Sequence, residues 1–132
     1  MKEVLDTRLL LAHFAPEDEA MGKRTRERFH ALRRSGGGLL PVLVLAEFFQ
    51  QVCQRAGAAE ATAACEALAH GGLKILPLTA EVAMAAGRLR CSHRRVPLGD
   101  CIVAAEAVRQ EARVISDDPH FREIRGIRTA WI

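Results

Sequence analysis

The sequence predicts an α/β fold, with a central, mostly parallel sheet of four to five strands sandwiched between helices. Two observations carry this reading. Short apolar runs at Val4-Leu5, Leu39-Leu40, Ile75-Leu76 and Val114-Ile115 alternate with stretches of helical periodicity, the pattern of parallel strands joined by crossover helices. The length of 132 residues is that of one domain, predicted to span 1–132.

Each element has its own signal. Val4-Leu5 is a short strand ending at Asp6, and Leu9, Leu10, Leu11 and Phe14 supply a short helix. Pro16-Glu17-Asp18-Glu19 opens a second helix with acids in its first turn, where the macrodipole favours them. Met21, Thr25, Phe29 and Leu32 form that helix's inward face, and Gly36-Gly37-Gly38 ends it. After the Leu39-Leu40 strand, Pro41 starts a helix on which Val42, Leu45, Ala46, Phe49, Val52 and Cys53 fall at helical spacing. Gly57 closes it, residues 59–70 form an alanine-rich helix, and Gly71-Gly72 stop that one. Lys74-Ile75-Leu76 reads as a strand, and Thr79 as the N-cap of a helix through Val82, Ala86 and Leu89. Pro97-Leu98-Gly99-Asp100 begins another, carried inward by Cys101, Ala104, Ala105, Val108 and Ala112. Arg113-Val114-Ile115 is a strand, Ser116-Asp117-Asp118-Pro119 a turn, and Arg128 to Ile132 a last edge strand.

Composition excludes several classes. The chain is 49% hydrophobic and 27% charged, with 5% aromatics and no Tyr, so a globular core must come from Ala, Leu, Val and Ile. No apolar run approaches the roughly 20 residues needed to span a bilayer. The first residues lack a secretory signal, which points to a cytoplasmic protein. Cys53, Cys65, Cys91 and Cys101 contain no Cys-x-x-Cys pair and read as small apolar residues, and the five histidines form no local metal motif. Of the 19 basic residues, 16 are Arg, gathered at Arg24 to Arg34 and at Arg88 to Arg95. These clusters fit either solvated helix faces or phosphate recognition.

A few acids do not fit helix surfaces. Asp6 follows the first strand, Asp117 and Asp118 follow the Val114-Ile115 strand, Asp100 opens a helix, and Glu47 lies in an apolar stretch. Singly, each has a plain alternative: Asp6-Thr7 and Asp100 as helix caps, Glu47 as solvated surface beside Gln50 and Gln54, Asp117-Asp118-Pro119 as a turn. Jointly they are better explained by one cleft at the carboxyl ends of the strands, where open parallel sheets bind ligands. Carboxylates crowded together repel one another, and a hard divalent cation such as Mg²⁺ or Mn²⁺ relieves that cost. No Ser–His–Asp or Cys–His arrangement is suggested, and Gly36-Gly37-Gly38 lacks the Lys-Ser/Thr of a phosphate loop. Metal-assisted phosphodiester hydrolysis is the reaction class these residues favour.

Four segments resemble the motifs of PIN-domain ribonucleases of the VapC toxin type, in order and nearly end to end. Val4-Leu5-Asp6-Thr7 is similar to the first acidic motif and Val44-Leu45-Ala46-Glu47-Phe48 to the second. Pro97-Leu98-Gly99-Asp100-Cys101-Ile102-Val103-Ala104-Ala105 is similar to the third, and Ile115-Ser116-Asp117-Asp118-Pro119-His120-Phe121 to the fourth. The resemblance implies a PIN-like α/β/α sandwich. It also implies an Mg²⁺- or Mn²⁺-dependent endoribonuclease acting on single-stranded or loop RNA, a homodimer inhibited by a cognate antitoxin protein. Carried over residue by residue, Asp6, Glu47, Asp100 and Asp118 are the catalytic, metal-facing acids, and Thr7 and Ser116 are supporting hydroxyls. Asp117 is an alternate fourth acid; the pattern favours Asp118, and spacing alone does not decide.

Other readings are a non-catalytic interaction module of the same fold and a housekeeping RNA-processing nuclease. A haloacid-dehalogenase phosphatase is disfavoured because Arg8 stands where its second Asp belongs. A response-regulator receiver is disfavoured because it needs paired acids near the first strand and an acceptor Asp near mid-chain. The Leu9 to Phe14 segment and the Val42 to Cys53 helix carry more apolar residues than one thin face requires. That surplus fits a partner surface or, slightly better for Val42 to Phe49, deeper burial in the monomer.

Overall fold

Glu3–Leu5 (β1) is the central strand, and its neighbours show why so short a segment holds its shape. It pairs with Gly38–Pro41 (β2) on one side and Arg113–Ile115 (β4) on the other, and Val4 and Leu5 are fully buried. Lys74–Leu76 (β3) and Thr129–Ala130 (β5) form the two edges, giving the order β3-β2-β1-β4-β5 with every pairing parallel. The computed structural model describes all residues, Met1–Ile132. Its five-stranded sheet is the upper end of the expected range, and the α/β/α fold is as expected.

The connections are helical. Thr7–Phe14 (α1) and Glu19–Ser35 (α2) link β1 to β2; Val42–Ala56 (α3) and Ala58–Ala69 (α4) link β2 to β3. Ala80–Ser92 (α5) and Leu98–Gln110 (α6) link β3 to β4, and a 3-10 turn over Pro119–Glu123 leads towards β5. The expected Thr79 cap forms, accepting the Val82 N–H, whereas α2 begins at Glu19 rather than Pro16, with Asp18 as its N-cap accepting the Met21 N–H. Gly36 takes the left-handed conformation that ends α2, which glycine adopts without steric cost.

Cys101–Ala107 on α6 are seven consecutive buried residues. Small side chains such as Ala104, Ala105 and Ala107 let this helix lie close between the sheet and α5, which is how a core with few aromatics still excludes water. Phe29 and Phe121 fill the larger gaps, each contributing roughly 1.5–3 kcal/mol by leaving water. No helix is long and apolar enough to cross a membrane.

Three expectations need correcting. On α3 the core face is Val44, Phe48 and Val52, whereas Val42 and Ala46 are exposed and Leu45 and Phe49 only half-buried. The expected stripe instead faces α4, as the cavity that Val42, Leu45, Ala46 and Phe49 share with Cys65 shows. Val108 is not inward; it is 60% exposed. The last strand is only Thr129–Ala130, because β4, just three residues long, pairs with it over two positions.

Candidate functional site

Strand register builds the first half of the site. Leu5 and Ile115 are paired across β1 and β4, so the next residues, Asp6 and Ser116, leave the sheet side by side. The Ser116 hydroxyl donates to Asp6 Oδ2 at 2.7 Å and accepts the Asp118 N–H at 3.0 Å. Asp6 is the N-cap residue of α1 but makes no side-chain cap bond, so capping does not account for it. Asp118 does cap: its Oδ1 accepts the His120 N–H at 2.9 Å, which starts the 3-10 turn.

Two helices supply the rest. Asp100 is the third residue of α6, where the helix dipole favours an acid, and it makes no cap bond. Glu47 leans from α3 towards the same point. The Thr7 hydroxyl donates to Glu47 Oε1 at 2.8 Å, and a Cβ at Gly99 would lie 3.1 Å from Glu47 Oε2. A side chain at position 99 would therefore make the Glu47 carboxylate give by a few tenths of an ångström. His120 joins the group through Nδ1, 3.1 Å from Asp100 Oδ2 and 3.0 Å from Asp118 Oδ1.

The donor atoms of Asp100, Asp118 and His120 lie within 4.8 Å of one another. Asp6 and Glu47 are not in that tightest group; each is tied to a hydroxyl, and their charges act on it. Burial and the charges of Asp118, Asp6 and Glu47 push the Asp100 carboxyl up to about 6, against the pull of His120. Asp6 is raised too, by burial first and by Glu47, with Ser116 pulling the other way. No lysine or arginine forms a direct ion pair with any of the four acids, and His120 is their one basic partner in contact. The Arg8 guanidinium, held by Asp117, feels the charges of Asp118 and Asp6 from further off.

Thr7, Glu47, Asp6, Ser116, Asp100 and Asp118 thus converge at the carboxyl ends of β1 and β4. Asp117 does not join them: its Oδ1 takes the Arg8 Nε–H at 2.6 Å on the exposed side. Sequence reasoning missed His120, having treated the histidines as scattered. Its one signal was its place two residues after Asp118, where the turn folds it back over that acid. An oxygen-rich donor set with uncompensated charge suits a hard divalent cation such as Mg²⁺ or Mn²⁺.

The two arginine clusters part company. Arg28 is spent on Glu3 and Arg33 on the Gly71 carbonyl, at the amino end of the sheet. Glu81 at the start of α5 pairs with Arg109 at the end of α6, so these helices are antiparallel. The loop between them, carrying exposed Arg94 and Arg95, therefore lies at the Asp100 end.

Comparison with known proteins agrees with the topology. A chain of DNA-bound VapBC from Salmonella typhimurium is similar at a TM-score of 0.80 and 21% identity, covering 99% of this chain and 98% of that one. A chain of VapBC2 from Rickettsia felis, bound to a promoter DNA fragment, gives a TM-score of 0.78 at 16% identity, covering 99% and 98%. VapC20 of Mycobacterium tuberculosis, described as a sarcin–ricin-loop-cleaving toxin, gives 0.71 at 19%, covering 89% and 91%. No curated protein sequence matches. The family model described as "PIN domain" matches residues 4–127, nearly the whole sheet and all four acids, and the chain belongs to the PIN-domain family.

Proposed function

We propose that this protein is a divalent-metal-dependent endoribonuclease, the toxin of a toxin–antitoxin pair, built as one PIN domain over 1–132 and working in the cytoplasm. The observation that carries the reading is the set of acids around Asp100, gathered from four separate elements and left without a lysine or arginine partner. A purely structural cluster would be neutralised; this one favours a cation.

Asp6, Glu47, Asp100 and Asp118 are the metal-facing acids in this reading. A bound Mg²⁺ or Mn²⁺ would orient and activate a water for attack on phosphorus and offset the charge that builds on the phosphodiester oxygens. Ser116 fixes the rotamer of Asp6, Thr7 fixes Glu47, and His120 holds Asp100 and Asp118 at one spacing. Such pre-orientation spares the acids from reorganising as charge develops. Arg94 and Arg95 stand where an RNA backbone would reach the acids, and contacts of that kind give salt-dependent affinity.

Similarity to chains of VapBC and of a toxin–antitoxin complex supports an antitoxin protein as partner, and the family resemblance implies a homodimer. The exposed apolar residues Val42 and Ala46 on α3 offer surface for one of these contacts. The non-catalytic reading is weaker, since a scaffold gains nothing from an uncompensated acidic cleft. The deciding experiment is Asp100→Asn. It should abolish Mg²⁺-dependent cleavage of single-stranded RNA and weaken Mn²⁺ binding by calorimetry, with an unchanged circular dichroism spectrum. Full cleavage by this variant would end the nuclease assignment.

A further inference from the structure

Beyond the Arg8–Asp117 pair lies a second cavity of about 290 Å³ that the acid cleft does not use. Its apolar lining comes from Leu11 on α1, Met21 on α2 and Trp131 just after β5. Its polar groups are two guanidiniums and two carboxylates: Arg8, Arg55, Asp117 and Glu17. This volume is at the small end for ligand sites and suits one flat ring system with its attached sugar.

The charges decide what kind of group fits. A phosphate would meet Arg8 and Arg55 but also the carboxylates of Glu17 and Asp117, which would repel it. A nucleobase carries no net charge and presents donors and acceptors along one edge, matching a rim that offers both. Carboxylates accept from exocyclic amines, while arginine forks donate to ring nitrogens and carbonyls. An aromatic wall adds a face on which any base can stack. The Arg8–Asp117 pair is exposed on both sides, so little stability is lost when Arg8 exchanges that partner for a base edge.

We propose that this cavity seats one unpaired nucleobase of the RNA strand, beside the linkage that is cut. Arg8, on the cavity's wall, is close enough to the metal-facing Asp118 and Asp6 for their charges to act on its guanidinium, so the occupant lies beside the acids. The proposal rests on the nuclease reading of those acids, and its test is independent of cleavage.

Trp131 is the only tryptophan in the chain, so its emission reports on the cavity. The wild-type protein would be titrated in EDTA with a mixed-sequence, single-stranded 12-nucleotide RNA (about that length suits a minimal substrate). An abasic ribose-phosphate chain of the same length serves as the comparison. The base-bearing RNA should quench Trp131 saturably and the abasic chain should not. Arg55→Ala, at an exposed position, should weaken RNA binding about tenfold and raise KM for cleavage far more than it changes kcat. Equal quenching by both chains would make the cavity a phosphate seat and overturn the proposal. Cleavage by a wild type whose Trp131 emission RNA never moves would overturn it too, while leaving the nuclease reading standing. Base-dependent quenching without any cleavage would support the seat and remove the nuclease.

Discussion

Two carboxylates at opposite ends of one strand, three residues apart, are treated in opposite ways. Glu3, at the amino end of β1, is 5% exposed, and Asp6, just past the carboxyl end, is 3% exposed. Glu3 is met by two guanidiniums: Arg113 Nε at 2.6 Å and Arg28 Nη1 at 3.0 Å. Arg28 also bonds the Trp131 carbonyl, so the pair ties the chain's end to its first strand. Asp6 receives the Ser116 hydroxyl and the pull of the Thr7 and Arg8 backbone N–H groups, but no opposite charge, and it faces Glu47. Burial depth is the same, so depth cannot be what separates a paired acid from an unpaired one. The difference lies in whether the chain supplies the opposite charge. At the lower end of the sheet it does; at the upper end it leaves the negative charge for something else to offset.

That contrast can be broken from either end. The largest expected effect is from Asp6→Asn, which should lower RNA cleavage by about 100-fold or more, roughly 3 kcal/mol of barrier. The same change should raise the melting temperature in metal-free buffer, because a buried charge that the fold disfavours becomes neutral. A melt followed by circular dichroism, paired with a cleavage assay, checks both halves, and a lowered melting temperature would contradict the argument.

The converse change is Arg28→Ala with Arg113→Ala, which strips Glu3 of its partners. An unpaired buried charge is costly, and the double variant should lose about 2–3 kcal/mol of stability in urea unfolding, a little below the usual range because Arg113 is partly exposed. Placing an apolar residue at position 3 in that background should recover most of the loss.

The smallest effect is a pH dependence. Asp100 titrates near 6 in the folded protein and near 3.8 as a free side chain. Its folded form is therefore raised, the native state holds the proton more tightly, and stability falls as pH rises from about 4 to about 6. Without metal, the wild type should lose on the order of 2 kcal/mol across that window relative to Asp100→Asn. Saturating Mn²⁺ should cancel the slope above pH 6. Equal pH profiles for the two proteins would show that the acids do not crowd Asp100.

Much of this was readable in the chain. The first four strands and the Thr79 N-cap follow from local chemistry, as does the end of α2 at Gly36, because each depends on a few adjacent residues. Motif order pointed to acids distant in sequence, and register explains why two of the motifs meet: Asp6 and Ser116 each follow a strand whose last residues are paired. What was not readable depended on partners distant in sequence. The face of α3 was misread because that helix carries apolar residues nearly all round, and only the docking of α4 decides which are half-covered. His120 escaped for the same reason, since its meaning comes from Asp100, 20 residues earlier. The choice between Asp117 and Asp118 needed Arg8, whose side chain captures the first and leaves the second free to cap the turn and face Asp100.

Asp100 stands at the mouth of α6, the helix with seven successive residues shut away from solvent. A deeply anchored segment of the molecule is thus also the one that presents the acid to which the proposed chemistry is assigned. Local breathing there is rare, because opening that helix means opening the whole protein. Mutational damage along Cys101 to Ala107 will then surface as lost protein and lost chemistry together, and surveys that score only activity will mistake scaffold lesions for active-site ones.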